Sequence, residues 1–202
     1  MGRLSVEKKE AKKERIIEKS MELFKENGYH ATKVEAITKA LGISKGNFYT
    51  YFNSKEEVLY EILDIMKEDR IILLNEVNVD NNPKEILREF IEKHRNFFSK
   101  HLKRINLQNI EALLKDEKVV AHIEEMHNML IEFIQKNIVE RMEGNKNRGY
   151  NLRFIAEFVF ISIEGLFFDT YLTEELELKN KYEMTMEEKM EQITEFINNA
   201  LK

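Results

Sequence analysis

Three helix starts and two glycine stops fall within the thirty residues from Gly28 to Glu57, and no other feature restricts the fold of this chain as much. Upstream, Ile16, Ile17, Ser20, Met21, Leu23 and Phe24 recur at helical spacing, which predicts a first helix from about Glu7 to Asn27. Gly28 follows, the residue type that most readily takes the left-handed conformation ending a helix. Thr32 with Glu35 three residues later reads as a capping box, its hydroxyl satisfying the Glu35 amide while the carboxylate reaches back. A short second helix, about Lys33 to Leu41, is the consequence, and Gly42 breaks it. Ser44 caps a third, about Lys45 to Tyr51. Ser54 with Glu57 makes a second capping box and opens a fourth helix that continues past Ile65 to about Leu74. Helix, glycine-bearing turn, helix from Thr32 to Phe52 is a helix-turn-helix in length and capping. Ile37, Leu41, Ile43 and Phe48 are expected to form its internal core, packed onto Leu23 and Phe24.

Beyond Leu74 the chain has one proline and few glycines, so long helices are favoured over a many-turned β fold. Pro83 suits the first turn of a helix running to about His101, with Ile86, Leu87, Phe90, Ile91, His94, Phe97 and Phe98 inward. A shorter helix is expected over roughly Ile105 to Leu114, and a long one from about Glu117 to Met142 with Val119, Ile123, Met126, Leu130, Ile134 and Ile138 on one face. Glu143 to Tyr150 reads as a loop, Leu152 to Leu172 as a helix, and Thr173 to Thr185 as a polar connection. Met186 to Leu201 closes the chain as an amphipathic helix with Met190, Ile193, Ile197 and Leu201 together. There is no β-alternation and no internal repeat. The fold class is all-α.

Charge and composition narrow the function. Hydrophobic residues at 43% and charged residues at 34% suit a helix-rich globular protein rather than a disordered one. The absence of cysteine removes disulfides and thiolate metal sites and fits a reducing cytosol. Residues 2–15 are charged with no apolar segment behind them, unlike a signal peptide. The most apolar stretch, Leu152 to Phe168, is interrupted by Arg153, Glu157 and Glu164 and is too short to span a bilayer. A cytoplasmic protein with no membrane partner is expected. The net charge of −5 divides into +5 for residues 1–55 and −10 for the rest. A basic head on an acidic body points to a polyanion as partner, although an ordinary solvated face at Lys8–Lys19 would carry the same charges.

The third helix turns Lys45, Gly46, Asn47, Tyr49, Thr50 and Tyr51 outward, groups that donate or accept hydrogen bonds at base edges and phosphates. Gly46 weakens the helix, which makes sense where backbone must approach a partner closely. The run Phe24-Lys-Glu-Asn-Gly-Tyr-His-Ala-Thr32, then Ile37, then Leu41-Gly-Ile-Ser-Lys-Gly-Asn-Phe-Tyr-Thr-Tyr-Phe52, then Ser54-Lys-Glu-Glu57 resembles the N-terminal domain of the TetR family of bacterial repressors over about residues 12–60. One departure is Thr38, where the family often has alanine. Its hydroxyl must find a partner, a carbonyl one turn back.

The resemblance implies a role for each matching position. Thr32 would hold a phosphate with Lys33 assisting, and Ser44, Lys45, Gly46 and Asn47 at the start of the third helix would meet bases or nearby phosphates. Tyr49 and Tyr51 would brace phosphates, Thr50 would read a base edge, and Lys55 would contact phosphate at the start of the fourth helix. The amino ends of these helices carry positive dipole ends that suit phosphate. The family organisation implied is a helix-turn-helix domain, residues 1–55, joined by helix 4 to a helical ligand-binding and dimerisation domain, residues 56–202. It further implies a homodimer on a palindromic operator in double-stranded DNA, and repression relieved by a small molecule.

The C-terminal part is read from its apolar surface. Between Leu152 and Leu172, Phe154, Ile155, Phe158, Val159, Phe160, Ile161 and Phe168 spread well beyond one stripe, as expected of a helix shared with a partner or central to a core. With the last helix beside it, a two-fold four-helix interface is expected. The resemblance places the inducer site at His94, Phe97, Phe98, Met126, His127, Met129, Phe133, Phe167 and Tyr171. Aromatics and Met suit a flat or flexible apolar or aromatic ligand, though each is also an ordinary core residue. No cofactor is expected.

Two rival functions are weighed. Glu124 and His127 form one Glu-x-x-His pair, but two-iron carboxylate bundles need two, and no other His has an acid three residues before it. His94 and His101 share a face and could bind metal, but a hydrogen-bonded His is the commoner state. Without a Gly-rich phosphate loop or nucleophile elbow, no enzyme and no metal site are expected. The second rival is a non-inducible, chromosome-organising DNA-binding protein on the same scaffold.

Overall fold

The computed structural model describes residues 2–102, 113–142, 149–175, 177 and 183–201. Among them are eight α-helices and no strand: α1 Gly2–Asn27, α2 Val34–Leu41, α3 Lys45–Phe48, α4 Lys55–Glu76, α5 Pro83–Leu102, α6 Glu117–Asn137, α7 Leu152–Glu175 and α8 Met186–Leu201. A 3-10 turn, Val139–Arg141, follows α6. The chain packs as two compact units, residues 1–69 with 99–123, and residues 70–98 with 124–202. The helix expected over Ile105 to Leu114 and the loop over Glu143 to Tyr150 lie largely outside the described residues.

In the first unit, α1 buries Ile16, Ile17, Ser20 and Phe24, with the Ser20 hydroxyl donating to the Ile16 carbonyl at 2.7 Å. It begins at Gly2 rather than near Glu7, because the Lys, Glu and Ala residues that follow favour helix without needing a buried face. Gly28 ends it at φ +81°, and its amide donates to the Phe24 carbonyl. Thr32 does not cap α2. Its side chain is buried, and its hydroxyl lies 2.8 Å from the Gly28 carbonyl and 3.1 Å from that of Leu23. Lys33 is the N-cap, with no side-chain bond. The hydroxyl follows the tighter local option, closing the turn that Gly28 begins.

Helix α2 ends as its glycine predicts. Gly42 sits at φ +65°, its amide donating to the Lys39 carbonyl, while the Ile43 amide reaches the Thr38 carbonyl at 3.0 Å. The Thr38 hydroxyl finds the Glu35 carbonyl at 3.1 Å, one turn back. Ile37 and Phe48 are fully buried, whereas Leu41 and Ile43 are only half-buried. Ser44 caps α3 by accepting from the Asn47 amide at 3.1 Å. Helix α3 stops at Phe48, three residues short of the expectation. Beyond it the amides of Thr50 and Tyr51 tighten onto the carbonyls three residues back, and this delivers both Phe48 and Phe52 to the interior. Ser54 caps α4 at the Glu57 amide, but the Glu57 carboxylate reaches one residue further than a capping box does, to the Asn53 amide at 2.6 Å.

In the second unit, Ile86, Leu87, Phe90 and Ile91 of α5 pack with Leu130, Ile134, Ala156, Val159, Phe160, Ile163 and Phe167 into one core closed by Ile197 and Leu201. Ile123 is 39% exposed rather than inward. Helix α6 ends at Asn137 rather than Met142: Arg141 donates to the carbonyls of Val79 and Asn81, which turns the chain into a 3-10 geometry while Ile138 and Val139 stay buried. Helix α7 continues to Glu175, three residues past its expected end. Thr185 and Glu188 form a reciprocal capping box at 3.1 and 2.7 Å that starts α8. Ion pairs from Arg88 to Glu191 and Arg95 to Glu187 tie α8 to α5 at the surface, where such pairs contribute little.

Candidate nucleic-acid interface

The short helix α3 presents the polar side chains that the sequence singled out. Ser44, Lys45, Gly46, Tyr49 and Thr50 are exposed, and Asn47 and Tyr51 are half-buried. Tyr49 keeps 51% of its surface in solvent while its ring edge rests on Phe48, so the phenol is aimed outward by a buried neighbour. Nothing internal demands glycine at position 46. A Cβ there would meet only the Ser44 Oγ, at 3.9 Å, an ordinary contact. The Thr50 hydroxyl donates to the Gly46 carbonyl at 3.0 Å, which fixes its rotamer and leaves its lone pairs to accept.

Two lysines are engaged within the unit. The Lys45 ammonium pairs with Glu35 of α2, an exposed pair that holds the Glu35 carboxyl below its ordinary range and the Lys45 ammonium above it. Lys55 donates to the carbonyls of Tyr29 and Thr32 at 2.8 and 2.9 Å, and burial pushes its pKa down. Lys33 is exposed at the mouth of α2. Lys12 and Arg15 of α1 line a depression with Asn47, beside Leu41 and Ile43. The sequence marked these two only as part of a basic run, because nothing local says which turn of α1 faces α3.

The residues expected to bind ligand lie in the second unit, and six of the nine are linked. The buried His94 ring stacks between Phe90, at 5.4 Å, and Phe97, at 6.1 Å, with Phe160 and Phe167 tilted against it at 5.8 Å. Phe98 meets Phe167, Phe133 stacks on Phe90, and His127 meets Phe160 edge-on. Met126 is buried, Met129 lines a groove with Phe133, and Tyr171 is half-buried on α7. The His94 Nε2 lies 2.5 Å from Glu164, a partner the sequence did not reveal. His101 takes Asp69 as its partner at 3.0 Å, and His127 stands 3.8 Å from Glu157 rather than with Glu124. Among the described residues no group of three or more His, Asp or Glu is arranged to hold a metal ion.

A capped, exposed helix held behind a glycine turn is the module with which transcriptional regulators read duplex DNA, and the fold places this chain in the helix-turn-helix class. Residues 16–62 match the profile of the bacterial regulatory proteins of the tetR family. The chain is 31% identical over 132 residues to the HTH-type transcriptional regulator YuxN of Bacillus subtilis, covering 58% of this chain but only 45% of YuxN. Among solved structures it is similar to the TetR family regulator PfmR of Thermus thermophilus, with a TM-score of 0.63, 26% identity, and 93% and 99% of the two chains covered. It shares the fold of FadR from Bacillus subtilis, determined with stearoyl-CoA, with a TM-score of 0.68, 20% identity, and 93% and 98% covered. Residues 16–62 thus carry a DNA-binding domain of the tetR type, and two curated relatives the chain matches are named as transcriptional regulators, of whose length this chain spans less than half. No described helix is long and apolar enough to cross a membrane.

Proposed function

We propose that the protein is a cytoplasmic repressor that binds a palindromic operator as a homodimer and is released by a small apolar or aromatic ligand. The observation that carries DNA reading is the exposed face of α3, where Gly46 leaves room for close backbone approach and Tyr49, Thr50 and Asn47 stand beside it. In this reading residues 1–55 form the reading head and residues 56–202 the dimerisation and ligand domain. Asn47, Thr50 and the Gly46 backbone meet base edges, Ser44, Lys33, Tyr49 and Tyr51 brace phosphates, and Lys45 exchanges Glu35 for phosphate. Thr32 and Lys55, whose polar atoms are turned to backbone carbonyls, shape the head instead.

Dimerisation is supported by an uncovered stripe. Phe154, Phe158, Ile161 and Phe168 lie exposed along one side of α7, and Phe196 is exposed on α8. So many large apolar side chains at helical spacing mark an interaction surface. A ligand is supported by the aromatic cluster around His94 and by the stearoyl-CoA held by a protein of the same fold. The test is DNA selection from a random duplex library by the purified protein, followed by fluorescence anisotropy at increasing salt. A palindromic consensus bound with steep salt dependence is expected. No salt-sensitive affinity for any duplex removes the reading.

A further inference from the structure

We propose that the ligand site of the second unit is built for a lipophilic organic cation, and that the Arg70 guanidinium is an internal occupant which such a cation displaces. The proposal deepens the ligand-responsive reading above and rests on it. It starts from the sign of the groups that converge on His94. Glu164 supplies a carboxylate whose side chain keeps 30% of its surface accessible. Burial pushes that carboxyl up, but the His94 hydrogen bond and the nearby charges of His94, Arg70 and His127 outweigh it and keep it ionised. Against an ionised carboxylate the His94 proton sits on Nε2, so Nδ1 is a bare acceptor, and it is buried without a partner. The rings of Phe90, Phe97, Phe160 and Phe167 add the negative faces of their π systems.

Carboxylate, lone pair and π faces all suit a flat cation with N–H donors. Arg70 is the exception, and it sits where such a ligand would. Its guanidinium carbon lies 4.2 Å from the Phe97 ring centroid, within the field of Glu164. It sits there poorly satisfied. Its Nε–H is shielded from solvent without an acceptor, and burial pushes the group down to about 10. A cation that brings more aromatic surface takes the same face and charge and releases Arg70 to water. An anion bound at Arg70 would instead lie against the charge of Glu164. A groove of about 480 Å³ in the same unit is lined by Ile71, Leu74, Met129, Glu132, Phe133 and Lys136. Phe133 stacks on Phe90, and Phe90 on His94, so the aromatic wall of the groove continues into the cluster.

The test titrates the full-length protein, free of DNA, with ethidium as cationic probe, anilinonaphthalene sulfonate as anionic probe and Nile red as neutral probe, each followed by fluorescence. Ethidium should bind best, weaken roughly tenfold in Glu164→Gln, and strengthen roughly tenfold in Arg70→Met, because the internal competitor is gone. Circular dichroism checks that both variants fold; should Glu164→Gln not fold, Arg70→Met and the ranking of probes decide. If Arg70→Met weakens ethidium, or if the anionic probe binds best and is lost in Arg70→Met, the cation assignment is overturned while a ligand-responsive protein stands. Binding of none of the three probes, in wild type or Arg70→Met, overturns both.

Discussion

Lys55, the first residue of α4, reaches back 26 positions to Tyr29: its ammonium lies 4.2 Å from the ring centroid and donates to the Tyr29 carbonyl at 2.8 Å. A second bond to the Thr32 carbonyl makes it a latch across the α1–α2 connection. Lys55→Met should therefore cost about 1.5–3 kcal/mol in urea unfolding, the range for hydrogen bonds made by a charged group. DNA affinity should fall with the folded fraction while the slope of log K against log salt stays unchanged. A slope reduced by about one, with stability intact, would return Lys55 to the phosphates.

Base reading and phosphate bracing separate by substitution on α3. Asn47→Ala and Thr50→Ala should change which sequences are preferred, each by about 1–3 kcal/mol, the worth of one specific hydrogen-bonded pairing with a base. Tyr49→Phe should weaken all duplexes alike. Competition assays on the selected operator and its single-base variants check this; uniform weakening by all three would remove the assignment of roles.

The stripe on α7 has a simple test. Phe158, 57% exposed, should tolerate Phe158→Glu in the folded monomer, since the ring leaves no core cavity behind. Light scattering should then report half the mass, and operator affinity should drop by roughly 100-fold or more as paired half-sites become independent. An unchanged mass would mean that this face is not the interface.

Acid should loosen the second unit through His94. Burial lowers its pKa beneath the ordinary 6.5, with the Glu164 hydrogen bond opposing and the Arg70 charge assisting. The unfolded chain therefore binds the proton first, and stability is present above pH 6.5 and is lost as pH falls towards the folded value. A single proton contributes at most about 1.4 kcal/mol per pH unit. Urea unfolding between pH 5 and 7 should be steeper for wild type than for His94→Gln; equal slopes would show that His94 does not titrate on unfolding.

What could be read in the sequence was what acts locally. Gly28, Gly42, Ser44 and Ser54 each did what their neighbours within four residues dictated, and the start of α8 at Met186 followed its apolar spacing. Thr32 misled because Thr-x-x-Glu reads the same whether the hydroxyl caps forward or turns back, and it turns back, to the Gly28 carbonyl at 2.8 Å with that of Leu23, nine residues upstream, at 3.1 Å. The site partners were hidden for the same reason on a larger scale. Lys45 and Glu35 are ten residues apart, and His94 and Glu164 seventy. Ile123 kept the helical spacing of its neighbours, yet spacing does not say where a buried face ends.

Helix α4 runs 22 residues from Lys55 to Glu76 without a glycine or proline. It has no joint. Lys55 at its start and Arg70 four turns later are separated by about 22 Å of continuous backbone hydrogen bonding, too stiff to absorb a shift by bending in between. Within the helix, then, a turn cannot move by itself: each amide is held by the carbonyl four residues back, so a displacement at Arg70 is shared with the turns of α4 on either side of it.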